Sequence, residues 1–417
     1  MPLAVHLLGL AIFAQGTSEF MLSGLLPGIA TDLGVSIPDA GLLVSAFALG
    51  MVLGAPVLAV ATLRVPRRTA LVAFQLAFVV GHVIGALAPG YGVLLATRIL
   101  SAVAYAGFWA VAAATAVGLV PPQAKGRALS VVGTGLTLAT VVGVPAGTVL
   151  GQHAGWRAAF WAVAGLTVLS ALSLLAALPT TRRTTPDTTP DTASGTPRTA
   201  SIHRELTGLA RLQLWLSYLI TTLTFGAGVV TFSYLAPLLT EVTGLPAGWV
   251  PAVLSLYGVG GLIGVTVGGR FADTAPLRTL ALGVTALTLA SAALARTATN
   301  LPATLALVLA LGFTSYVINP VVQSRVFRLA PDAPTLVPAV NTSAFNVGIT
   351  LTPLLGGLTI DAGLGFPSVA WVGAATGLLG LAATAWAAAL QRRGRPAAPP
   401  VTVPPRTPAS ATATKDG

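Results

Sequence analysis

The chain has 417 residues, 54% of them hydrophobic and 8% charged, with a net charge of +11 and no cysteine. No soluble domain of this size buries so much apolar surface, and a mean hydropathy of +0.85 places the chain among polytopic membrane proteins. The missing cysteines exclude disulfides and thiolate metal sites, and the basic excess sits in loops and tail, where it marks topology rather than a nucleic-acid surface.

Apolar stretches of about 20 residues recur along the chain, the length a helix needs to cross roughly 30 Å of hydrocarbon. They fall near 3–27, 39–63, 69–88, 92–119, 127–150, 157–178, 212–238, 248–271, 278–297, 302–325, 337–360 and 366–390. The first lacks a basic leader and carries Glu19 in its far half, so it reads as a retained span rather than a signal peptide. The pattern predicts an all-α membrane protein with 12 transmembrane helices in two six-helix halves, 1–178 and 212–390. Residues 179–211 include TTRRTTPDTTPDTASGTPRTA, a Thr- and Pro-rich linker, and residues 391–417 form a second stretch expected to be disordered. Nineteen of the 22 basic residues lie on one side of these spans, Arg98, Arg157 and Arg296 being the exceptions. The positive-inside rule then predicts a multi-pass protein of the cell membrane with both termini, linker and tail in the cytoplasm.

Of eleven acidic residues, Glu19 alone lies well inside an apolar stretch. A carboxylate at bilayer depth costs about 3 kcal/mol or more, so it marks either a proton- or ion-handling site or a neutral, hydrogen-bonded side chain that packs helices. Gln15 and Ser23 share its face at four-residue spacing. His82 in span three is the one deep histidine and reads as structural. In span four, Arg98 lies six residues, roughly 9 Å, from the outer end, against eight residues and roughly 12 Å for Glu19. The two charges are therefore expected at similar depth, as a coupling pair or as a static ion pair between spans one and four. Burial and a neighbouring guanidinium act on a carboxyl group in opposite senses, which is what a proton carrier needs when access changes.

Ser101, Tyr105 and Trp109 follow Arg98 on span four, and Gly143, Pro145 and Gly147 give span five the means to approach a neighbour closely and to bend. Trp156 and Arg157 open span six and are expected to anchor it at headgroup level. Thr224, Thr231 and Tyr234 in span seven, with Tyr316, Asn319 and Gln323 in span ten, supply further polar groups, each equally able to serve as interhelical glue. The second-half counterparts of Glu19 and Arg98 are Val229 and Val308, so proton handling is expected in the first half alone.

The segment GRFADTAPLR at 269–278, and more weakly its counterpart at 59–68, resembles the G-x-L-a-D-r-x-G-r loop motif of major facilitator superfamily transporters. Gly269, Asp273 and Arg278 match, Pro276 replaces the second Gly, and the earlier copy keeps only its basic end. Leu94 and Arg98 match the span-four motif of that superfamily's drug/proton antiporters, with Ala102 in place of the Gly, and 142–151 resembles their span-five motif. Residues 14–51, 82–100 and 155–163 resemble the chloramphenicol-efflux group, and a related pattern occurs in sugar-efflux permeases.

The resemblance implies the major facilitator fold, a cavity lined by spans one, four, seven and ten, and proton-coupled efflux of a small amphiphilic drug, chloramphenicol foremost, by alternating access. It makes Glu19 and Arg98 the coupling residues, and assigns conformational roles to Gly143, Pro145, Gly147, Gly269, Asp273 and Arg278. It implies no cofactor, no metal and no nucleic acid; the partners are the drug, protons and the lipid bilayer, and the protein is expected to work as a monomer. Another exported metabolite or sugar is the alternative within this class. An enzyme would need a convergent His/Asp/Glu constellation and a receptor a signalling domain, and the sequence offers neither.

Overall fold

The computed structural model describes residues 1–62, 65–177, 211–272, 276–329 and 336–393. Among them, twelve helices are long and apolar enough to cross a membrane: Leu3–Phe20, Ile37–Ala55, Arg67–Ala86, Tyr91–Gly118, Lys125–Ala154, Trp156–Ala177, Leu212–Ser233, Ala247–Phe271, Pro276–Thr297, Leu301–Leu329, Val340–Leu364 and Pro367–Gln391. They are called spans one to twelve. Asp273, the linker before Arg211 and the tail after Arg393 lie outside the described residues. Gln391 to Arg393, expected in the disordered tail, continue the last helix.

Span one departs from expectation. Its helix is interrupted for one residue at Met21, whose φ −61° and ψ −25° remain helical, continues as Leu22–Leu33 with Pro27 inside it, and ends where Gly34 turns left-handed at φ 63°. The Val35 amide then closes onto the Ala30 carbonyl at 3.0 Å, a glycine-terminated helix end. The sequence placed the end near 27, so Glu19 lies closer to the middle of this continuous path than the depth arithmetic gave.

Span five carries one wide turn, Ala139–Gly143, shortly before Pro145. Proline has no N–H to give the Val141 carbonyl, and a widened turn is one way a helix absorbs that loss. At Gly143 any side chain would collide with the Thr17 hydroxyl of span one, so the expected close approach is real and its partner is span one.

The halves are joined at mid-depth and on the face away from the termini. Gln152 Nε2 donates across to the Ala247 carbonyl at 2.7 Å, and the Phe20 and Phe232 rings meet edge-on at 6.3 Å. Tyr234 of span seven packs against Gly41 of span two, while its hydroxyl donates to the Pro353 carbonyl of span eleven at 3.0 Å. Span eight passes so near span five that a Cβ on Gly258 would lie 2.7 Å from the Thr140 carbonyl oxygen.

On the terminus side several polar contacts lie within one half. Arg67 and Arg68 donate to the Ala114 and Leu175 carbonyls at 3.3 and 2.6 Å, near the ends of spans four and six, where cations suit the unpaired carbonyls. That explains why the basic end of the first loop motif is useful without its Asp. Arg325 donates to Gln213 Oε1, Ser217 Oγ and Gln391 Oε1 at 2.7, 3.0 and 3.3 Å.

Candidate functional site

Glu19 comes from span one, just before the break at Met21, and Arg98 from the second turn of span four. Both are buried, at 6% and 1% exposure, so the carboxyl keeps slightly more open surface than the guanidinium. They do not form an ion pair within 4.0 Å. Instead Arg98 Nη1 donates to Ser18 Oγ at 2.8 Å and Nη2 to the Ser18 carbonyl at 3.0 Å, with its guanidinium 4.2 Å over the Phe47 ring. The lapse of the helix at Met21 lies three residues beyond that carbonyl. The charge is thus held by neutral groups, on the residue next to the carboxyl. Arg98 Nε has no partner.

Tyr105 of span four and Tyr316 of span ten both lie near enough to Glu19 for its charge to act on them, as does Arg98. Tyr105 is buried, edge-on to Trp109 at 6.3 Å, and Trp109 and Tyr316 are half-buried. Gln15 is fully buried with neither amide atom partnered. A buried amide in that state is available to a polar ligand, since its own desolvation is already incurred. Asn319 is half-buried on the same helix as Tyr316, and Ser23 is buried one turn beyond Glu19.

Other candidates point elsewhere. Ser101 packs against Gly81 of span three, Thr231 against Gly373 and Thr224 against Gly380, both of span twelve. Thr224 also bonds back to the Ile220 carbonyl at 2.7 Å, and Gln323 is exposed. Tyr234 belongs to the closure between halves. These four buried side chains touch neighbouring helices, as hydroxyls between membrane helices commonly do, while Thr231 Oγ1 has no hydrogen-bond partner. Gly269 and Arg278 are exposed, and Arg278 borders a groove between spans nine and twelve. Pro145 is buried, and Gly147 sits against Met21.

Trp156, the first residue of span six, faces into the bundle rather than outward. It is buried at 4% exposure, and its Nε1 donates to Asp32 Oδ2 at 3.0 Å. Arg157 donates to the same oxygen and to the Ala88 carbonyl, with its guanidinium 4.3 Å over the Trp156 ring. Asp32, on the extension of span one, therefore ties that helix to span six. The Arg157 hydrogen bond, then that of Trp156, holds the Asp32 carboxyl below its usual 3.8. A carboxyl so shifted lends stability above its ordinary value and loses it as pH falls through the native one. With both side chains more than a third exposed, Asp32→Asn is expected to cost about 0.5–1 kcal/mol at pH 7. Thermal melts in detergent should show that difference shrinking below pH 3.8.

Twelve helices of membrane length in two joined halves, with a Glu and an Arg buried among them, fit a membrane transporter rather than an enzyme. The chain belongs to the Major Facilitator Superfamily, whose family model matches residues 8–344. It is 42% identical over 379 residues to a chloramphenicol resistance protein of Streptomyces lividans, covering 91% of this chain and 94% of that one. It is 37% identical over 379 residues to the inner membrane transport protein YdhP of Escherichia coli (strain K12), covering 90% and 93%. It is 35% identical over 396 residues to the uncharacterized MFS-type transporter YtbD of Bacillus subtilis (strain 168), covering 94% and 97%. Among solved structures it superposes on a bacterial homologue of the human lysosomal transporter Spinster, in an inward-facing and occupied conformation. That match has a TM-score of 0.74 at 17% identity and covers 95% of this chain and 98% of the other.

Sequence reasoning missed Ser18 and Asp32. Ser18 had a signal, its place beside the one deep acid, but serine in a membrane helix is too common to single out. Asp32 looked like a loop acid because Pro27 was taken as the end of the helix.

Proposed function

We propose that the chain is a proton-coupled exporter of small amphiphilic drugs, with chloramphenicol as its substrate and Glu19 as its proton carrier. The observation that carries this reading is the Glu19 carboxyl itself, buried, without an ion pair within 4.0 Å, and next in the chain to Ser18, whose neutral groups hold the Arg98 guanidinium. A carboxyl in that position can exchange protons as access alternates, and can take Arg98 as a partner in another conformation. The substrate assignment draws on the likeness to the chloramphenicol resistance protein. Gln15, Tyr105, Trp109, Tyr316 and Asn319, with Ser23 nearby, form the polar and aromatic lining that an amphiphilic drug would use. Ser101, Thr231 and Tyr234 are withdrawn from that lining.

We place the termini in the cytoplasm of a cell-membrane protein on the distribution of basic residues. The joined face then lies outside. Exchange of a neutral drug for one proton moves net charge, so the membrane potential assists by about 2.3 kcal/mol per 100 mV. The test is chloramphenicol accumulation in cells expressing the chain, with and without a protonophore. Expression is expected to lower accumulation, and the protonophore to restore it. Accumulation that expression leaves unchanged would end the substrate assignment.

A further inference from the structure

Ser18 lies between two buried groups. Its hydroxyl oxygen is 2.8 Å from Arg98 Nη1 and 2.6 Å from His82 Nε2, and the other imidazole nitrogen is 2.9 Å from the Phe78 carbonyl. The donor order follows from what each group can do. A guanidinium only donates, so Ser18 Oγ accepts from it. The hydroxyl proton then goes to His82 Nε2, which must be bare, and the ring proton sits on Nδ1, where the Phe78 carbonyl accepts it. The order is complete with a neutral imidazole and with no other partner.

The ring is held in place. His82 is 1% exposed, stacks on Phe78 at 4.1 Å and 28°, and has Phe160 on its other side at 5.5 Å. The neighbouring residue shows what a hydroxyl on this helix does without such a partner. Thr17 Oγ1 bonds back to the Phe13 carbonyl at 2.7 Å, the usual habit of Ser and Thr inside helices. Ser18 does not bond back, because its proton is committed to His82 and its oxygen is turned toward Arg98.

We propose that His82 is a positioning residue for the coupling site: through the Ser18 hydroxyl it holds Arg98 on Ser18 and off Glu19 in this conformation. This rests on the reading of Glu19 as the coupling carboxyl. His82 touches neither drug nor Glu19; it acts by fixing which acceptor the guanidinium meets. The sequence reading of His82 as structural is thereby sharpened into a specific task.

Two measurements on the purified full-length chain and its variants decide it. The first is phenylglyoxal labelling of Arg98, read by peptide mass spectrometry, with the exposed Arg278 as internal standard. Wild type and His82→Gln, whose amide oxygen can take the place of Nε2, are expected to leave Arg98 protected. In His82→Leu and Ser18→Ala the labelling should rise about fivefold or more as the guanidinium comes free to move. The second is protonophore-sensitive export in reconstituted vesicles. His82→Leu should lose about tenfold in maximal rate with KM for chloramphenicol within about twofold, and His82→Gln should recover it. Protection of Arg98 in His82→Leu would overturn the proposal, as would a folded His82→Gln protein as impaired as His82→Leu. If wild type itself shows no protonophore-sensitive export, the coupling reading falls, while the labelling still decides whether His82 positions Arg98.

Discussion

Glu19→Gln is expected to abolish proton-coupled export while leaving drug binding close to wild type. The substitution keeps shape and hydrogen-bonding capacity and removes the ability to gain and lose a proton. Proton transfer by a positioned group is commonly worth about a hundredfold or more, so coupled export should fall by at least that much. Exchange of labelled for unlabelled drug across the same vesicles needs no net proton movement. It should therefore continue in the variant, and its rate should no longer depend on pH. Chloramphenicol-driven proton movement, followed with a pH dye, should vanish together with coupled export. Undiminished, protonophore-sensitive export by Glu19→Gln would remove this residue from the coupling role.

Arg98→Leu separates function from stability. Two hydrogen bonds from a charged donor, each worth about 1.5–3 kcal/mol, favour the native guanidinium. Against them stands the desolvation of a charge that meets no carboxylate within 4.0 Å, a penalty of several kcal/mol. The terms nearly cancel, and replacing buried charge by packed hydrophobe is often neutral or stabilising by about 1–4 kcal/mol. We therefore expect Arg98→Leu to melt at or above the wild-type temperature in detergent and to lose coupled export by about a hundredfold. Had the resting state contained a Glu19–Arg98 ion pair, the same change would strand a buried carboxylate and cost about 3–5 kcal/mol. A drop of that size in the melt would show that the pair forms.

The spans were legible because apolar length is a strong signal, and eleven of the twelve are found within about five residues of where hydropathy puts them, the helix of span two running on to Ala61. The exception, span one, turned on chain geometry that composition does not report. Pro27 reads as a terminator, yet the helix continues to Leu33 and stops at Gly34. Glu19 and Arg98 stood out because charge is costly in a membrane, and both are indeed buried. Counting residues from a span end gives depth but not azimuth. It brought the two charges to one level and could not say that Arg98 meets Ser18 rather than Glu19. Azimuth also decided the hydroxyls, since Ser101, Thr224 and Thr231 face neighbouring helices rather than Glu19. The motif acid Asp273 falls outside the described residues, so its part in gating stays with the expectation that introduced it.

Ser18 and Glu19 are consecutive, so on a helix of 3.6 residues per turn their side chains leave the axis about 100° apart. In the proposed mechanism span one would thus work as a cam with two adjacent lobes, one neutral and one acidic, beside the Arg98 cation. A roll of the helix about its own axis, with little sliding along the membrane normal, suffices to swap the lobe that Arg98 meets. On the proposed role of Glu19, the mechanical demand of coupling is torsion of span one, separable from a larger rocking of the two halves.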